Sequence, residues 1–331
     1  MCIIDSPKEY GQELVQSIGR FYTLGMPEDT KAVTEEKISP EVFLQQVKQI
    51  QEERQKMFFY ELKRFSDGAY AFVFDEGDRL KHIFWKNRVL EQSDGFEVAK
   101  EIEDYYVGKD RFIGDVLSRI DSSTRLMVIS DHGFNSFERQ VNINTWLLKE
   151  GYLKAKPGAD MGASLFQYVD WENTKAYSLG FTSIYLNIEG REAKGCVKPE
   201  DAESLTDEIA EKLGNIEDEA HKARKVMTKV YKSREVYSGE HTKLAPELVV
   251  GFSPGYRMSW KNAEGSLNDK VISDNDSRWK GDHLIDRSHV PGVIFSNFRI
   301  KKENPELIDI CLLYTSPSPR DRTRSRMPSS A

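Results

Sequence analysis

Cysteine is scarce in this chain of 331 residues, which contains only Cys2, Cys196 and Cys311. Small domains held together by disulfides contain many more cysteines, and thiolate metal sites place them in closely spaced pairs. The three scattered cysteines therefore argue against both a disulfide framework and a cysteine metal site. Because structural disulfides belong to oxidising compartments, we also expect a cytoplasmic protein.

Long hydrophobic runs are also absent. No stretch approaches the roughly 18 consecutive apolar residues that a membrane-spanning helix needs. The opening residues, MCIIDSPKEYGQEL, have neither the basic start nor the apolar centre of a signal peptide. We therefore predict no membrane partner.

Positive charge is in the minority, since the formal net charge is −7. Proteins that bind a nucleic-acid duplex present broad basic surfaces to the phosphate backbone. We therefore predict no nucleic-acid duplex as a partner, although a local basic pocket for one phosphate group is compatible with this charge. The sequence predicts no particular oligomeric state.

Apolar runs alternate with segments of helical periodicity along the chain. The first strand–helix–strand unit spans residues 69–130, and this order is typical of a parallel sheet with helices on its faces. We therefore predict an α/β fold with a mostly parallel central sheet flanked by helices, and a smaller inserted α+β subdomain. The predicted helices cover 41–65, 78–92, 93–120, 142–153 and 199–216, where 93–120 forms either one long helix or two short ones. The predicted strands cover 69–76, 125–130, 176–188, 246–252 and 290–297.

Five segments are predicted along the chain. The helix at 41–65 has no strand before it, which is typical of a chain that begins within a domain. The final stretch, CLLYTSPSPRDRTRSRMPSSA, resembles the translation of a sequencing adapter, and the alternative is a disordered tail rich in serine, proline and arginine. The segments are a helical part of a truncated catalytic domain (1–66), a metal-binding core (67–140), an inserted subdomain (141–240), a return to the core (241–310) and the adapter-like, disordered tail (311–331).

Three short motifs combine a carboxylate with an imidazole. Asp78 and His82 are four residues apart on a predicted helix, so they share one helical face. Asp131 and His132 directly follow a predicted strand, and His283 lies in a Gly-Asp-His loop before the last strand. In open α/β sheets, ligands bind beyond the carboxyl ends of the strands. We therefore predict that these five residues bind metal.

The residue types in these motifs narrow the choice of metal. Carboxylate oxygen together with imidazole nitrogen suits zinc or manganese rather than calcium. Each motif alone has a simpler interpretation, either as a cap or surface turn or as a solvated helix face, and only their joint occurrence favours a metal site. Gly133, next to His132, would let the backbone turn tightly there.

Four further residues carry two interpretations each. Arg79 could contact a phosphate, but a salt bridge is favoured, because one step along a helix turns it about 100° away from Asp78. Tyr256, Arg257 and Trp260 follow a predicted strand. They either shape a substrate entrance or pack in the core, and packing is favoured.

The order and spacing of these motifs resemble the type I phosphodiesterase/nucleotide pyrophosphatase family of the alkaline phosphatase superfamily. The resemblance extends over nearly all of residues 21–300. The matching stretches are FYTLGMPEDTKA (21–32), DEGDRLKHIFW (75–85), ISDHGFNSFERQVNINTWLLKEGYL (129–153), APELVVGFSPGYRMSW (245–260) and WKGDHLIDRSHVPGVIFSN (279–297).

The resemblance implies two divalent metal ions that bridge a phosphate group, with zinc expected and manganese as the alternative. One ion would be held by Asp78, His82 and His283, and the other by Asp131 and His132. The implied reaction is in-line displacement at the phosphorus of a small phosphoester or nucleotide, through a covalent phospho-enzyme. A sulfatase or a phosphomutase of the same superfamily is the alternative.

The resemblance leaves the nucleophile unassigned. The family places a serine or threonine nucleophile, and an early aspartate ligand, before the stretch that begins at Phe21, and neither is found in this sequence. Thr23 and Thr30 belong to the later stretch, so neither is assigned the role. We therefore expect this chain itself to be inactive, and a metal-binding fragment without catalysis is the third alternative.

Overall fold

The computed structural model describes residues 9–23, 27–90 and 98–310. Local signals define the start of its longest helix. The Ser39 side chain caps the Val42 N–H, and Pro40 occupies the first helical position, where no backbone donor is needed. The α-helices are α1 (Tyr10–Ile18), α2 (Thr30–Thr34), α3 (Pro40–Arg64), α4 (Glu76–Phe84), α5 (Lys100–Leu117), α6 (Ile143–Lys149), α7 (Ala202–Gly214), α8 (Ser233–Val236) and α9 (Trp260–Ala263).

The strands in the described part of the chain are short and form several small sheets. They are β1 (Met127–Ile129), β2 (Asn135–Val141), β3 (Ala176–Leu179), β4 (Ser183–Leu186), β5 (Glu217–Asp218), β6 (Arg224–Lys225), β7 (Met227–Lys232), β8 (Leu248–Phe252), β9 (Gly255–Met258), β10 (Ile272–Asp274), β11 (Gly281–Asp282) and β12 (Ile294–Ser296).

Strand β2 is the centre of the sheet that carries one end of the candidate site. It pairs antiparallel with β10 and β11 and parallel with β9. Asp282 of β11 lies opposite Asn135, at the start of β2. Strands β1 and β12 form a separate antiparallel ribbon, in which Val128 lies opposite Phe295.

The larger hydrophobic core lies between helix α7 and the antiparallel sheet β3-β4-β8-β7. Ile209 and Leu213 of α7 are buried in one cluster with Ile184 of β4 and Val250 of β8. Burial of each such aliphatic side chain contributes about 1.5–3 kcal/mol, so this cluster anchors the sheet firmly.

A second core lies beneath helix α4, which carries two of the predicted ligands. Leu80 and Ile83 of α4 are buried together with Phe43 and Val47 of α3 and with Ile102 of α5. Because α4 is held through these apolar residues, the position of its polar residues is fixed by packing.

The central sheet was predicted to be mostly parallel, and the observed strand directions differ from this prediction. The fold is a mixed α/β arrangement, but the sheets are mostly antiparallel, and the parallel pairing among the described strands is that of β2 with β9. The strands predicted at 125–130 and 290–297 form as β1 and β12, yet they pair with each other and run antiparallel.

Residues 69–76 do not form the predicted strand. Their side chains nevertheless alternate between packed and exposed positions. Tyr70, Phe72 and Phe74 pack against Phe58 of α3, with ring centroids 5.2–5.9 Å apart. The intervening Val73 is 76% exposed. A segment of this kind becomes a strand only when a neighbouring strand pairs with its backbone. None of the strands in the described ranges does so.

Helical periodicity predicted the helices more reliably than apolar runs predicted the strands, although some predicted helix ends differ from the observed ones. The segment 176–188 is a hairpin of β3 and β4 rather than one strand. The helix predicted over 78–92 ends at Phe84, and the one predicted over 93–120 appears as α5, with 93–97 outside the described residues. The predicted helices at 41–65, 142–153 and 199–216 correspond to α3, α6 and α7, and the strand at 246–252 corresponds to β8.

None of the helices in the described ranges is both long and apolar enough to span a bilayer. The adapter-like tail predicted at 311–331 lies outside the described residues. The division into segments stays a prediction. The segment 241–310 contributes strands to three sheets. Strand β8 belongs to the sheet of β3 and β4, strands β9, β10 and β11 belong to the sheet of β2, and β12 pairs with β1.

Candidate metal centre

The predicted ligands lie on three separate parts of the fold. Helix α4 carries Asp78 and His82, the loop between β1 and β2 carries Asp131 and His132, and His283 directly follows β11. On α4, the i,i+4 spacing brings His82 Nε2 within 3.4 Å of Asp78 Oδ2. The expectation that these two side chains share one helical face therefore agrees with the geometry.

Asp78, His132 and His283 form the tightest group, which we call the central cluster. One potential ligand atom from each residue lies within 4.8 Å of the other two. His283 Nε2 is 3.5 Å from Asp78 Oδ1, and the rings of His132 and His283 stack with centroids 3.6 Å apart. Residues more than 200 positions apart in the sequence thus converge on a space of the size of one metal ion.

His82 lies beside the central cluster and is more deeply buried. Its side chain is 3% exposed, and its ring centroid is 5.3 Å from that of His283. Its Nδ1 lies 2.7 Å from the carbonyl oxygen of Gly281. Because a carbonyl oxygen only accepts hydrogen bonds, the neutral ring carries its proton on Nδ1, and the Nε2 lone pair faces Asp78.

Asp131 lies at the edge of the site. Its side chain is 72% exposed, and its Oδ2 is 3.5 Å from His132 Nε2. The family resemblance implies two groups of ligands, one of Asp78 and His82 with His283 and one of Asp131 with His132. In the structure, His132 instead joins Asp78 and His283, and Asp131 does not belong to the central cluster.

The loop that carries His132 is fixed by close backbone contacts. The Nδ1 of His132 lies 2.9 Å from the carbonyl oxygen of Gly133, and the Gly133 N–H donates to the carbonyl oxygen of Val290. A Cβ atom on Gly133 would come within 2.8 Å of the carbonyl oxygen of Pro291. Glycine is therefore needed here for the close approach of two backbone segments.

The electrostatics of the cluster favour the protonation states that bind metal. Burial tends to raise the pKa of Asp78, but the neighbouring His82, Arg79 and His283 lower it to about 2. Burial, together with the adjacent His132, lowers the pKa of His283 to about 4, against the opposing effect of Asp282 and Asp78. At neutral pH, Asp78 is therefore an anion and His283 a neutral imidazole, the forms that coordinate cations.

The residues present fit a divalent cation. Asp78 Oδ1 is buried, yet no hydrogen bond reaches it from any part of the chain that the structure describes. A buried carboxylate oxygen without a partner is costly unless it binds a cation or a donor. The side chains of Asp78, His132 and His283 are 19–25% exposed, so solvent and small molecules reach the site. One carboxylate, two imidazoles and an open side are the ligand pattern of catalytic zinc sites.

Arg79 was considered from the sequence, whereas Trp279 and Asp282, which also contact the predicted ligands, were not. Arg79 forms ion pairs with Asp78 and with Asp75, so the salt bridge that the sequence favoured is present. Trp279 stacks on His82 with centroids 3.7 Å apart, and Asp282 accepts a hydrogen bond from the His283 backbone N–H. Trp279 and Asp282 lie within four residues of His283 in the sequence, and this proximity was the signal that could have identified them.

Tyr256, Arg257 and Trp260 were predicted either to shape a substrate entrance or to pack in the core, and the structure separates them by exposure. Tyr256 and Arg257 lie within strand β9 and are 0% and 1% exposed, so neither reaches a substrate. Trp260 starts α9 and is 45% exposed. Packing is therefore correct for the first two residues.

Comparison with known proteins places this cluster in a family context. No curated protein matches the chain. The family model described as type I phosphodiesterase / nucleotide pyrophosphatase matches residues 22–283, a range that contains all five predicted ligands and ends at His283. Since this match covers most of the sequence, the chain belongs to the type I phosphodiesterase / nucleotide pyrophosphatase family.

Proposed function

We propose that this domain serves the metal-dependent hydrolysis of small phosphoesters of the phosphodiester and nucleotide pyrophosphate class. The observation that carries the proposal is the central cluster, which lies inside the family match. Asp78, His132 and His283 would hold one divalent cation, with His82 at the other oxygen of Asp78. Zinc is the expected ion, and manganese is the alternative.

A second cation is part of the proposal. Asp131 is exposed next to His132, so its carboxylate would be available to hold a second ion. When bound, such cations polarise the phosphoryl oxygens and lower the pKa of a coordinated hydroxyl or water.

The side chains of this chain prepare the site for an anionic substrate. Arg79 pairs with Asp78 and so limits the negative charge that a phosphate would meet there. His283 is uncharged at neutral pH, because burial and His132 lower its pKa, and its Nε2 lone pair stays available. In the proposed reaction a hydroxyl attacks phosphorus, the bond to the leaving oxygen breaks, and water then releases the phosphoryl group.

No described residue is assigned as the attacking hydroxyl. We therefore propose that this chain alone binds metal and does not sustain turnover. Metal titration by calorimetry, followed by assays with bis(p-nitrophenyl) phosphate, p-nitrophenyl phosphate and p-nitrophenyl sulfate, tests both statements. We expect saturable binding of zinc or manganese and no sustained release of nitrophenol.

The outcomes separate the alternatives. Absence of saturable binding would contradict the proposed metal centre. Sustained hydrolysis of the diester would show that the nucleophile lies within this chain, and a preference for the sulfate ester would indicate a sulfatase instead.

A further inference from the structure

The short strand β11 contacts two histidines of the site, the buried His82 and the partly exposed His283. The Gly281 carbonyl oxygen accepts a hydrogen bond from His82 Nδ1, over 2.7 Å. The next residue, Asp282, accepts from the backbone N–H of His283 at 2.8 Å and from that of Leu284 at 3.0 Å, both through Oδ1. Two consecutive residues therefore set the orientation of a ring on α4 and the backbone of His283.

The contact between β11 and α4 leaves no spare room. A Cβ atom on Gly281 would lie 2.7 Å from the carbonyl oxygen of Lys81 and 2.8 Å from Cβ of Trp85. Strand β11 therefore packs directly against the last turns of α4, and a displacement of β11 would move the partner of His82.

Trp279 links the same two elements through its side chain. Its indole N–H donates to Asp282 Oδ2 at 2.8 Å. Its ring stacks on His82 with centroids 3.7 Å apart and an angle of 24° between the planes. Trp279 thus restricts the plane of His82 while it is itself held by Asp282.

Arg257 supplies the counter-charge for Asp282. Both are essentially fully buried, and Arg257 Nε lies 2.7 Å from Asp282 Oδ2. Its N–H does not point along this line, so the contact is an ion pair rather than a linear hydrogen bond. The guanidinium is enclosed by the rings of Phe137, Phe181 and Trp260, with centroids 4.1–4.9 Å away.

A buried ion pair of this kind is difficult to explain by stability alone. The free energy needed to desolvate two charges is about as large as the attraction between them, so a buried ion pair is weak evidence of a stabilising role. Neither charge reaches solvent, which excludes contact with a substrate. Instead, Asp282 of this pair accepts hydrogen bonds from the backbone N–H of His283 and from the indole N–H of Trp279, whose ring stacks on His82.

We propose that Arg257, Asp282 and Trp279 are positioning residues of the metal centre, an inference that rests on the proposed function. Asp282 is the central member, because it joins Arg257, Trp279 and the His283 backbone. The three residues orient His82 and His283 without touching the cation. Outer partners of this kind typically change metal affinity about 10- to 100-fold when they are removed.

The test compares the affinity of full-length variants for zinc and for cobalt(II), the latter read from its visible absorption bands. Asp282→Asn keeps the size of the side chain but removes the charge, and we expect a loss of affinity of about 10- to 100-fold with an altered cobalt spectrum. Trp279→Phe keeps a ring over His82 but removes the N–H donor. We expect a smaller loss for that variant, in the same direction.

The control is another buried arginine–aspartate pair. Arg139 Nε donates to Asp218 Oδ2 at 2.8 Å, and both side chains are buried. Asp218→Asn should lower the urea midpoint of unfolding in the metal-free state to a similar extent as Asp282→Asn. Its zinc and cobalt affinities should stay at the wild-type value.

The outcomes distinguish the inference from the function on which it rests. If the wild-type chain binds metal and both Asp282→Asn and Trp279→Phe retain its affinity and its cobalt spectrum, the inference is overturned. If Asp282→Asn does not fold, the Trp279→Phe result decides. If the wild-type chain itself binds neither zinc nor cobalt, the proposed function has failed, and the inference fails with it.

Discussion

At the scale of single residues, Asp78 is the most connected member of the site. Its carboxylate lies near His82 through one oxygen and near His283 through the other, and Arg79 pairs with it as well. The sequence predicted Asp78 as a ligand because of its spacing from His82. It could not predict that His132 would join Asp78, because that contact depends on how the loop after β1 is held.

Replacement of Asp78 by asparagine should abolish tight metal binding. Outer partners alone are worth about 10- to 100-fold in affinity, so the loss of a ligand should cost at least about 100-fold. Competition with a chromophoric chelator measures this change. Asp75→Asn is the matched control, because Asp75 also pairs with Arg79 but is absent from the central cluster; an equal loss in both variants would contradict the assignment.

A second residue-scale prediction concerns Glu28, which is 1% exposed and whose two carboxylate oxygens receive no hydrogen bond from the described residues. Burial raises the pKa of Glu28 above its usual value, and the nearby Asp75 adds to the rise. A raised acid pKa gives stability that is fully present below the unfolded pKa of 4.5 and is lost as the pH rises through the folded pKa.

Glu28→Gln should therefore be more stable than the wild-type chain at pH 7.5, with a smaller advantage at pH 4.5. Urea unfolding at both pH values, in the presence of a chelator, measures the difference. The same pH dependence in both proteins would show that Glu28 is ionised without cost in the fold.

At the scale of elements, periodicity predicted the helices better than the strands. Helices α3 and α7 form where the apolar spacing placed them, because a helix satisfies its own backbone hydrogen bonds. A strand needs a partner, and the sequence does not say which partner it will find. This is why the side chains of residues 69–75 alternate as in a strand, although these residues form no strand and pack their rings against α3 and α5.

The aromatic contacts of that segment predict its energetic role. Phe112 of α5 is 8% exposed, and its ring lies 5.1 Å from those of Phe58 and Phe74. Phe112→Ala should destabilise the chain by about 3 kcal/mol, as truncation of a buried aromatic does. Val73→Ala, at an exposed position of the same segment, should change stability by less than about 0.5 kcal/mol.

Urea unfolding of the two variants tests this assignment. Equal effects of Phe112→Ala and Val73→Ala would contradict the packing of the segment on α5. A change in metal affinity for Phe112→Ala beyond that explained by unfolding would show that this core also positions α4.

At the scale of the whole molecule, the three motifs meet although the predicted parallel sheet does not form. The convergence of Asp78, His132 and His283 comes instead from α4 on its own core, from the loop after β1 and from the antiparallel pairing of β11 with β2. Motif spacing therefore indicated residues that come together in the fold, whereas their grouping depends on packing that local sequence does not encode.

Metal should stabilise the chain as a whole, because its ligands come from three distant segments and no such site exists in the unfolded chain. At a free zinc concentration 100 times the dissociation constant, the free energy of unfolding should rise by about 2.7 kcal/mol. Thermal unfolding across a zinc series measures this effect. A melting temperature that does not respond to zinc would contradict the coupling.

The most direct test of the central claim is anomalous X-ray scattering at the zinc absorption edge from crystals grown with zinc. The account predicts an anomalous peak bounded by the Asp78 carboxylate and the imidazoles of His132 and His283. Full zinc occupancy elsewhere on the chain, with no peak between these three side chains, would contradict it.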